Sequence, residues 1–102
     1  MKCSDCGREL PGVEFEGFQP KRWLCAECSD EPSNSLFCRA GDAVRYTHTD
    51  AGTESCRILA NEYLVPGNTY YVDTIKIGRS FSYIKVQGLK YWFNSVLLER
   101  VV

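Results

Sequence analysis

The stretch that decides the fold is NTYYVDTIKIGRSFSYIKVQGLKYWFN, residues 68–94. Three runs rich in β-branched and aromatic residues are separated in it by glycine-bearing turns: 68–77, 81–87 and 89–94. Short runs of this composition, bounded by turn residues, are typical of β-strands. In the second run Ile84 and Val86 alternate with polar positions, which predicts that one face of that strand lies on a core. The stretch therefore predicts a meander of three strands.

Further strand-like runs flank this meander. DAVRYTHT (42–49) precedes it, and LLERVV (97–102) follows it. Between the first run and the meander, SCRILANEYL (55–64) is the best helix candidate. Five short strands in this part of the chain predict a small antiparallel barrel, because closing a sheet removes its exposed edges.

The order of these elements resembles the SH3-like barrel. LVPGNTYYV (64–72) places a glycine three residues after a leucine and then an aromatic-x-valine strand, and YWFNSVLLERV (91–101) gives a strand end, a one-turn Asn-Ser element and a closing strand. The resemblance covers residues 40–102. The chain is also similar to small SH3-like proteins of bacteriophage accessory genes, which share the pattern G-x-x-Y-x-V … W-F … F/L-E. This resemblance implies a small viral protein that binds a host protein and inhibits or redirects it.

The first 30 residues differ in composition, with four cysteines, few aliphatic residues and several turn formers. Such a segment cannot bury enough apolar surface to fold without a cross-link or a metal ion. The predicted organisation is a four-cysteine zinc-binding module at 1–30, a linker at 31–36 and an SH3-like β-barrel at 37–102. The predicted fold class is mainly β.

The cysteines follow the pattern Cys3-x2-Cys6-x18-Cys25-x2-Cys28. Two residues between cysteines let one turn aim both thiolates at one ion, and two such turns complete a tetrahedral sulfur site. Thiolate softness favours Zn²⁺ over Mg²⁺ or Ca²⁺. The segment resembles a zinc ribbon or short treble clef, which implies one structural zinc ion bound by these four residues. Nearby cations that could offset the charge of the site are Lys2, Arg8, Lys21 and Arg22.

Three other interpretations of the four cysteines stay open: iron in a rubredoxin-like site, two disulfides, or a thioredoxin-type redox pair. The N-terminus lacks a secretory signal, so we expect a cytoplasmic protein whose thiols are reduced, in the host cell if the protein is viral. Two more cysteines, Cys38 and Cys56, are not spaced as metal ligands and are interpreted as buried or free thiols. A bond between them, or a second metal site with His48, is the weaker interpretation.

The composition argues against several functions. No apolar run approaches the ~20 residues that span a bilayer, so we expect no membrane association. His48 is the only histidine and lies in the polar loop THTDAG, and no glycine-rich phosphate loop or carboxylate pair accompanies it. We therefore predict a protein that is not an enzyme and takes no small-molecule substrate.

Residues 37–102 contain ten aromatic residues, more than a small barrel can bury. Strand alternation turns some of them outward, and basic residues accompany them. The predicted partner-binding residues are Tyr71, Tyr83, Trp92, Arg79, Lys85 and Lys90. Exposed tyrosine and tryptophan favour a protein partner, which we expect to be a host protein.

Two alternatives to a host-protein binder stay open. Basic residues among aromatic ones also suit stacked bases and phosphates, so one alternative is a zinc-ribbon nucleic-acid-binding or transcription-associated factor. The net charge of -1 weighs against it. The other alternative is a structural domain of a larger assembly.

Overall fold

The computed structural model describes residues 2–101, which form a mainly β fold. The strands of this range are β1 (Val13–Phe15), β2 (Ala43–Tyr46), β3 (Thr69–Ile77), β4 (Ser82–Val86), β5 (Trp92–Asn94) and β6 (Leu98–Arg100). They are joined by helix α1 (Glu54–Tyr63) and two single-turn 3₁₀ helices, η1 (Ser35–Phe37) and η2 (Ser95–Leu97). The predicted mainly β class, the five strand runs and the helix are confirmed.

The strands lie side by side in the order β5-β4-β3-β2-β6, and each neighbouring pair is antiparallel. The predicted meander is therefore β3-β4-β5. The long strand β3 pairs with β2 through its first residues, and its register against β4 shifts between Val72 and Thr74. Such an irregularity bends a strand and increases its twist. The 3₁₀ turn η2 lies between β5 and β6, where the Asn-Ser element was predicted.

Strand β1 was not predicted from the sequence. It pairs in parallel with the end of β3, with Val13 opposite Ile75 and Phe15 opposite Ile77. Strand β1 therefore pairs with a later part of β3 than β2 does. The run VEF is too short to show a period by itself, so only the tertiary structure reveals that the cysteine-bearing segment adds a strand to the sheet.

The core lies between the inner faces of the strands and helix α1. Its fully buried side chains are Val44, Tyr46, Ala60, Val72, Ile75, Ile84, Val86 and Leu97. The predicted inward face of β4, with Ile84 and Val86, is confirmed. The hydroxyl of Tyr46 donates to Oδ1 of Asn61 at 2.8 Å, so the buried phenol has a partner on the helix. Within residues 2–101, no helix has the length and apolarity needed to cross a membrane.

An aromatic cluster joins the cysteine-bearing segment to the rest of the molecule. The Trp23 ring lies 5.1 Å from that of Phe15 and 5.4 Å from that of Phe37, and Phe18 packs edge-on against Phe15. Aromatic pairs at these distances stabilise a packed arrangement beyond their buried area.

The segment predicted as a linker also contacts the sheet. Ser35 Oγ donates to the carbonyl of Ser95 at 2.7 Å, and the N–H of Arg100 donates to the carbonyl of Ser33 at 2.9 Å. Residues 31–36 therefore pack against η2 and β6 instead of spanning open solvent. The division of the chain into a module, a linker and a barrel stays a prediction.

Candidate functional site

The first cysteine turn is a tight loop closed by backbone hydrogen bonds. The N–H of Cys3 donates to the carbonyl of Arg8 at 2.9 Å, and the N–H of Gly7 donates to the carbonyl of Cys3 at 3.0 Å. Gly7 has a φ of 73°, a conformation that glycine adopts without steric cost. The loop places the sulfurs of Cys3 and Cys6 within 4.8 Å of each other.

The second cysteine turn is built in the same way and is tied to the first. The carbonyl of Cys25 accepts from the N–H groups of Cys28 (3.1 Å) and Ser29 (3.0 Å). Ser4 and Trp23 then join the two turns, because the Ser4 N–H donates to the Trp23 carbonyl at 2.8 Å and the Trp23 N–H donates to Ser4 Oγ at 3.0 Å. Both turns are therefore held in place by backbone contacts.

The four predicted ligands come together in the structure. The sulfur atoms of Cys3, Cys6, Cys25 and Cys28 all lie within 4.8 Å of one another. Cys6 Sγ and Cys25 Sγ are 3.7 Å apart, close to the ~3.8 Å between ligands of a tetrahedral site with Zn–S bonds of ~2.3 Å. Cys3 and Cys25 are buried, whereas Cys6 is exposed. The four cysteines thus form a cluster that can bind a metal ion.

The thiols of this cluster differ in acidity. Backbone N–H groups of Cys6 and Cys25 point at the Cys3 sulfur and lower its pKa to about 6. The N–H of Cys25 lies 3.3 Å from that sulfur. Hydrogen bonds with the side chains of Cys25 and Cys3 raise the pKa of Cys28 to about 12. Full ionisation of four adjoining thiols requires a cation to offset their charge, which a bound metal ion supplies.

A chain of ion pairs connects the second cysteine turn to the sheet. Glu27 lies between the ligands Cys25 and Cys28, and it pairs with Arg8 at 3.1 Å and with Arg100 of β6 at 3.4 Å. Arg100 also pairs with Asp42 at 3.4 Å. The pKa of Glu27 is lowered mainly by a hydrogen bond from the backbone N–H of Glu27 itself. The positive charges of Arg100 and Arg8 lower it further.

Of the cations expected to offset the metal site, Arg8 and Arg22 each have an acidic partner. Arg8 pairs with Glu27, which raises the pKa of Arg8, and Arg22 donates to both carboxylate oxygens of Asp5 at 2.9 and 3.2 Å. Asp5 lies between the ligands Cys3 and Cys6. These cations therefore pair with acidic residues of the cysteine turns.

The strand register brings three of the predicted partner-binding residues onto one surface. Lys85 pairs with Trp92 across β4 and β5, and Tyr83 pairs with Lys76 across β4 and β3. The ammonium of Lys76 lies 4.7 Å from the centroid of the Trp92 ring. We call Lys76, Tyr83, Lys85 and Trp92 the outer sheet face. Sequence reasoning missed Lys76, although its alternation with Ile75 and Ile77 in the same strand carried the signal.

The other three predicted binding residues are not part of this group of four. Arg79 is in the turn between β3 and β4, with its guanidinium 5.7 Å from the centroid of the Phe18 ring. Tyr71 is 54% exposed but lies at the start of β3, opposite Ala43 of β2. Lys90 is exposed in the turn between β4 and β5.

Comparison with known families gave a match over the second part of the chain. The model of the family described as Bacteriophage T4 protein Y07B matches residues 43–102. The chain belongs to this family. The matched Y07B region begins at the first residue of β2 and includes β2 to β6, so β1 and the four clustered cysteines precede it. Neither the curated proteins nor the solved structures compared with the chain gave a match.

The two remaining cysteines are expected to react at different rates. Burial raises the pKa of Cys38 to about 12. At Cys56 burial also acts to raise the pKa, but hydrogen bonds from Thr53 (3.2 Å) and Asn94 (3.6 Å) together outweigh it and lower the pKa. We expect iodoacetamide to modify Cys56 at least ~10-fold faster than Cys38 at pH 7, because the thiolate is the nucleophile.

Peptide mass mapping of the metal-loaded protein measures this difference in rate. Cys56→Ser is the control, and it should remove the fast phase. Modification of Cys38 before Cys56 would contradict the assignment.

Proposed function

We propose that this phage protein is a non-catalytic binding protein of the host cytoplasm, with an SH3-like sheet whose outer sheet face contacts a host protein. One structural zinc ion holds the cysteine-bearing segment. The observation that carries the proposal is the alignment of Tyr83, Lys85 and Trp92, with Lys76, on three adjacent strands.

Zinc suits the cysteine cluster for two reasons. Four sulfur atoms within 4.8 Å of one another offer a soft ligand set of the number that tetrahedral Zn²⁺ takes, and Mg²⁺ and Ca²⁺ prefer oxygen ligands. All four positions belong to the protein, so the ion is structural and contributes folding free energy. Iron is the competing metal, and its visible absorbance distinguishes it from colourless zinc.

The outer sheet face has the composition of a protein-binding surface. Tyrosine and tryptophan dominate binding energies at interfaces, because they bury a large apolar area and keep a polar group. Here both are partly exposed next to two lysines. Lys85 has one acidic partner, Asp73 at 3.7 Å. We therefore propose an acidic patch as the complementary surface of the partner.

Single-stranded nucleic acid is the second candidate partner, favoured by the same four side chains. Aromatic rings on a sheet stack with bases, and neighbouring lysines contact phosphates. The net charge of -1 opposes strong phosphate binding. The two candidates differ in the salt dependence of binding and in the effect of nuclease.

A pull-down with the full chain from bacterial lysate, with and without nuclease, tests both candidates. A dominant protein that survives nuclease supports the host-protein proposal, and loss of all partners on nuclease treatment supports the nucleic-acid candidate. Mass spectrometry identifies the captured proteins.

Trp92→Ala is expected to weaken binding to the captured partner by about 30-fold, the effect of a hot-spot side chain. Ile58→Ala is the matched control, because Ile58 is 60% exposed on α1 and is not part of the strands that form the outer sheet face. It should change the Kd less than ~3-fold. Equal binding by wild type and by a Trp92→Ala protein with an unchanged circular dichroism spectrum would exclude the outer sheet face.

A further inference from the structure

A groove separate from the metal cluster runs between the chain before β2 and the end of the sheet. Its volume is about 720 Å³, and its walls come from residues 30–36, from the loop after β2 that carries His48, and from η2 and β6. A second cavity of about 390 Å³ adjoins it. Leu36, Ala51, Ser95 and Val96 line both cavities, so the two form one continuous groove.

The walls of this groove are fixed by side-chain hydrogen bonds. The Asn34 side chain accepts from the N–H of Leu36 at 3.0 Å, and the Asn94 side chain accepts from the N–H of Val96 at 3.1 Å. These are the N-caps of η1 and η2. Together with the bond from Ser35 to Ser95, they hold the two 3₁₀ turns against each other. The groove is therefore formed before any partner binds.

One end of the groove is acidic. Asp30, Glu31 and Glu99 line it, and within residues 2–101 none of the three makes an ion pair. Glu31 accepts from Asn34 at 3.1 Å and Glu99 from Thr47 at 3.3 Å, both neutral donors. No lysine or arginine of the described chain lines either cavity. The carboxylates therefore present negative charge that a basic partner can neutralise.

The other end of the groove is apolar. Val96 is 49% exposed and Phe81 is 56% exposed, and both line the second cavity with the partly buried Leu36. Exposed apolar side chains in a concave surface gain free energy when a partner covers them.

We propose that this groove binds an extended segment of a partner protein that carries lysine or arginine next to a bulky apolar residue. The basic side chain meets Asp30, Glu31 and Glu99, and the apolar side chain packs against Val96 and Phe81. The carboxylates repel phosphates, which argues against nucleic acid at this site. This surface is additional to the outer sheet face and opposite in charge, so it serves a different partner segment.

Selection from a displayed library of random twelve-residue peptides on the immobilised, metal-loaded full chain tests the proposal. We expect enrichment of peptides in which a basic residue adjoins Leu, Ile, Phe or Trp. The best peptide, made synthetically with a fluorophore, then serves as the probe in fluorescence polarisation. Amide chemical-shift changes on peptide binding should concentrate at Leu36, His48 and Val96.

Two matched pairs of variants locate the binding. Val96→Lys should weaken peptide binding at least ~10-fold, whereas Val65→Lys, at a valine that is 55% exposed outside the groove, should not. Glu31→Lys should weaken it and Glu62→Lys on α1 should not. If Val96→Lys fails to fold, Val96→Ser provides the same test.

Enrichment of acidic peptides, absence of any enriched motif, or equal binding by wild type and folded Val96→Lys would overturn the proposal. Trp92→Ala is expected to leave the peptide affinity unchanged. Failure of the groove and failure of the outer sheet face are therefore separate results.

Discussion

Cys25→Ser is expected to abolish stoichiometric zinc binding and to unfold the segment of residues 2–29. The apparent zinc affinity should fall by more than ~100-fold, beyond the 10–100-fold typical of losing a residue that only supports a ligand. Without the ion, this segment has few buried apolar side chains, since its own cluster consists of Cys3, Leu10 and Cys25. Metal binding and folding of the segment should therefore be lost together.

Cys25 is the most informative of the four ligands to replace. It is 1% exposed, its sulfur lies 3.7 Å from that of Cys6, and its N–H donates to the Cys3 sulfur at 3.3 Å. Serine keeps the backbone hydrogen bonds of the turn but supplies a hydroxyl, which is a poor zinc ligand beside three thiolates. The substitution thus tests the sulfur and not the turn.

Metal content by plasma mass spectrometry and fluorescence of Trp23 measure the two effects. Trp23 reports on the cysteine turns because it exchanges two hydrogen bonds with Ser4. A Trp92→Phe background leaves Trp23 as the single tryptophan. Cys56→Ser is the matched control, since Cys56 lies outside the cluster, and it should retain one zinc ion per chain. A Cys25→Ser protein that keeps one zinc ion per chain would refute the metal site, and a metal-free variant whose residues 2–29 stay folded would refute the coupling of folding to metal binding.

Gly12→Ala is expected to lower the free energy of unfolding by about 2–5 kcal/mol. Gly12 has a φ of +74°, which costs a residue with a Cβ about 1–2 kcal/mol. A Cβ there would also lie 2.7 Å from the Cβ of Ala40 and 2.8 Å from the carbonyl oxygen of Asp73. Overpacking of this kind costs typically about 1–3 kcal/mol. The carbonyl of Gly12 accepts from the N–H of Ile75 at 2.7 Å, so the clash falls where β1 docks on β3.

Gly17→Ala is the control that measures the cost of a positive φ without a steric clash. Gly17 has a φ of +78°, but a Cβ added there would have no atom within 4 Å apart from its own chain neighbours. We expect it to cost only about 1–2 kcal/mol. Urea unfolding of both variants measures the difference. Equal stability of the two would show that the contact of Gly12 with Ala40 and Asp73 does not hold β1 in place.

The metal content of the Gly12→Ala variant shows whether packing of β1 on β3 is also needed for metal binding. Neither cysteine turn includes Gly12, so we expect zinc to remain at one ion per chain. Loss of zinc together with loss of stability would instead show that docking of β1 on β3 is required for the metal site.

Much of the fold and of the candidate metal site could be predicted from local sequence patterns. The spacing of Cys3, Cys6, Cys25 and Cys28 predicted a cluster because two residues between ligands fit a single turn, a property of the chain over a few residues. Alternation at Ile84 and Val86 predicted the buried face of β4 because side chains in a strand alternate every residue. Each cysteine turn and the inward face of β4 depend on neighbours in sequence, so the sequence alone was sufficient for them.

The tertiary structure decided everything that joins distant residues. The parallel pairing of Val13 with Ile75, the ion pairs of Arg100 with Glu27 and Asp42, and the position of Lys76 over Trp92 depend on strand register and approach across the sheet. The groove between residues 30–36 and η2 is also formed by residues that are far apart in the chain. By itself, the sequence determined strands β2 to β6, the helix and the four cysteines of the cluster, because short-range geometry specifies them. Which surfaces those elements form was decided by packing, because residues far apart in the chain meet only in the folded sheet.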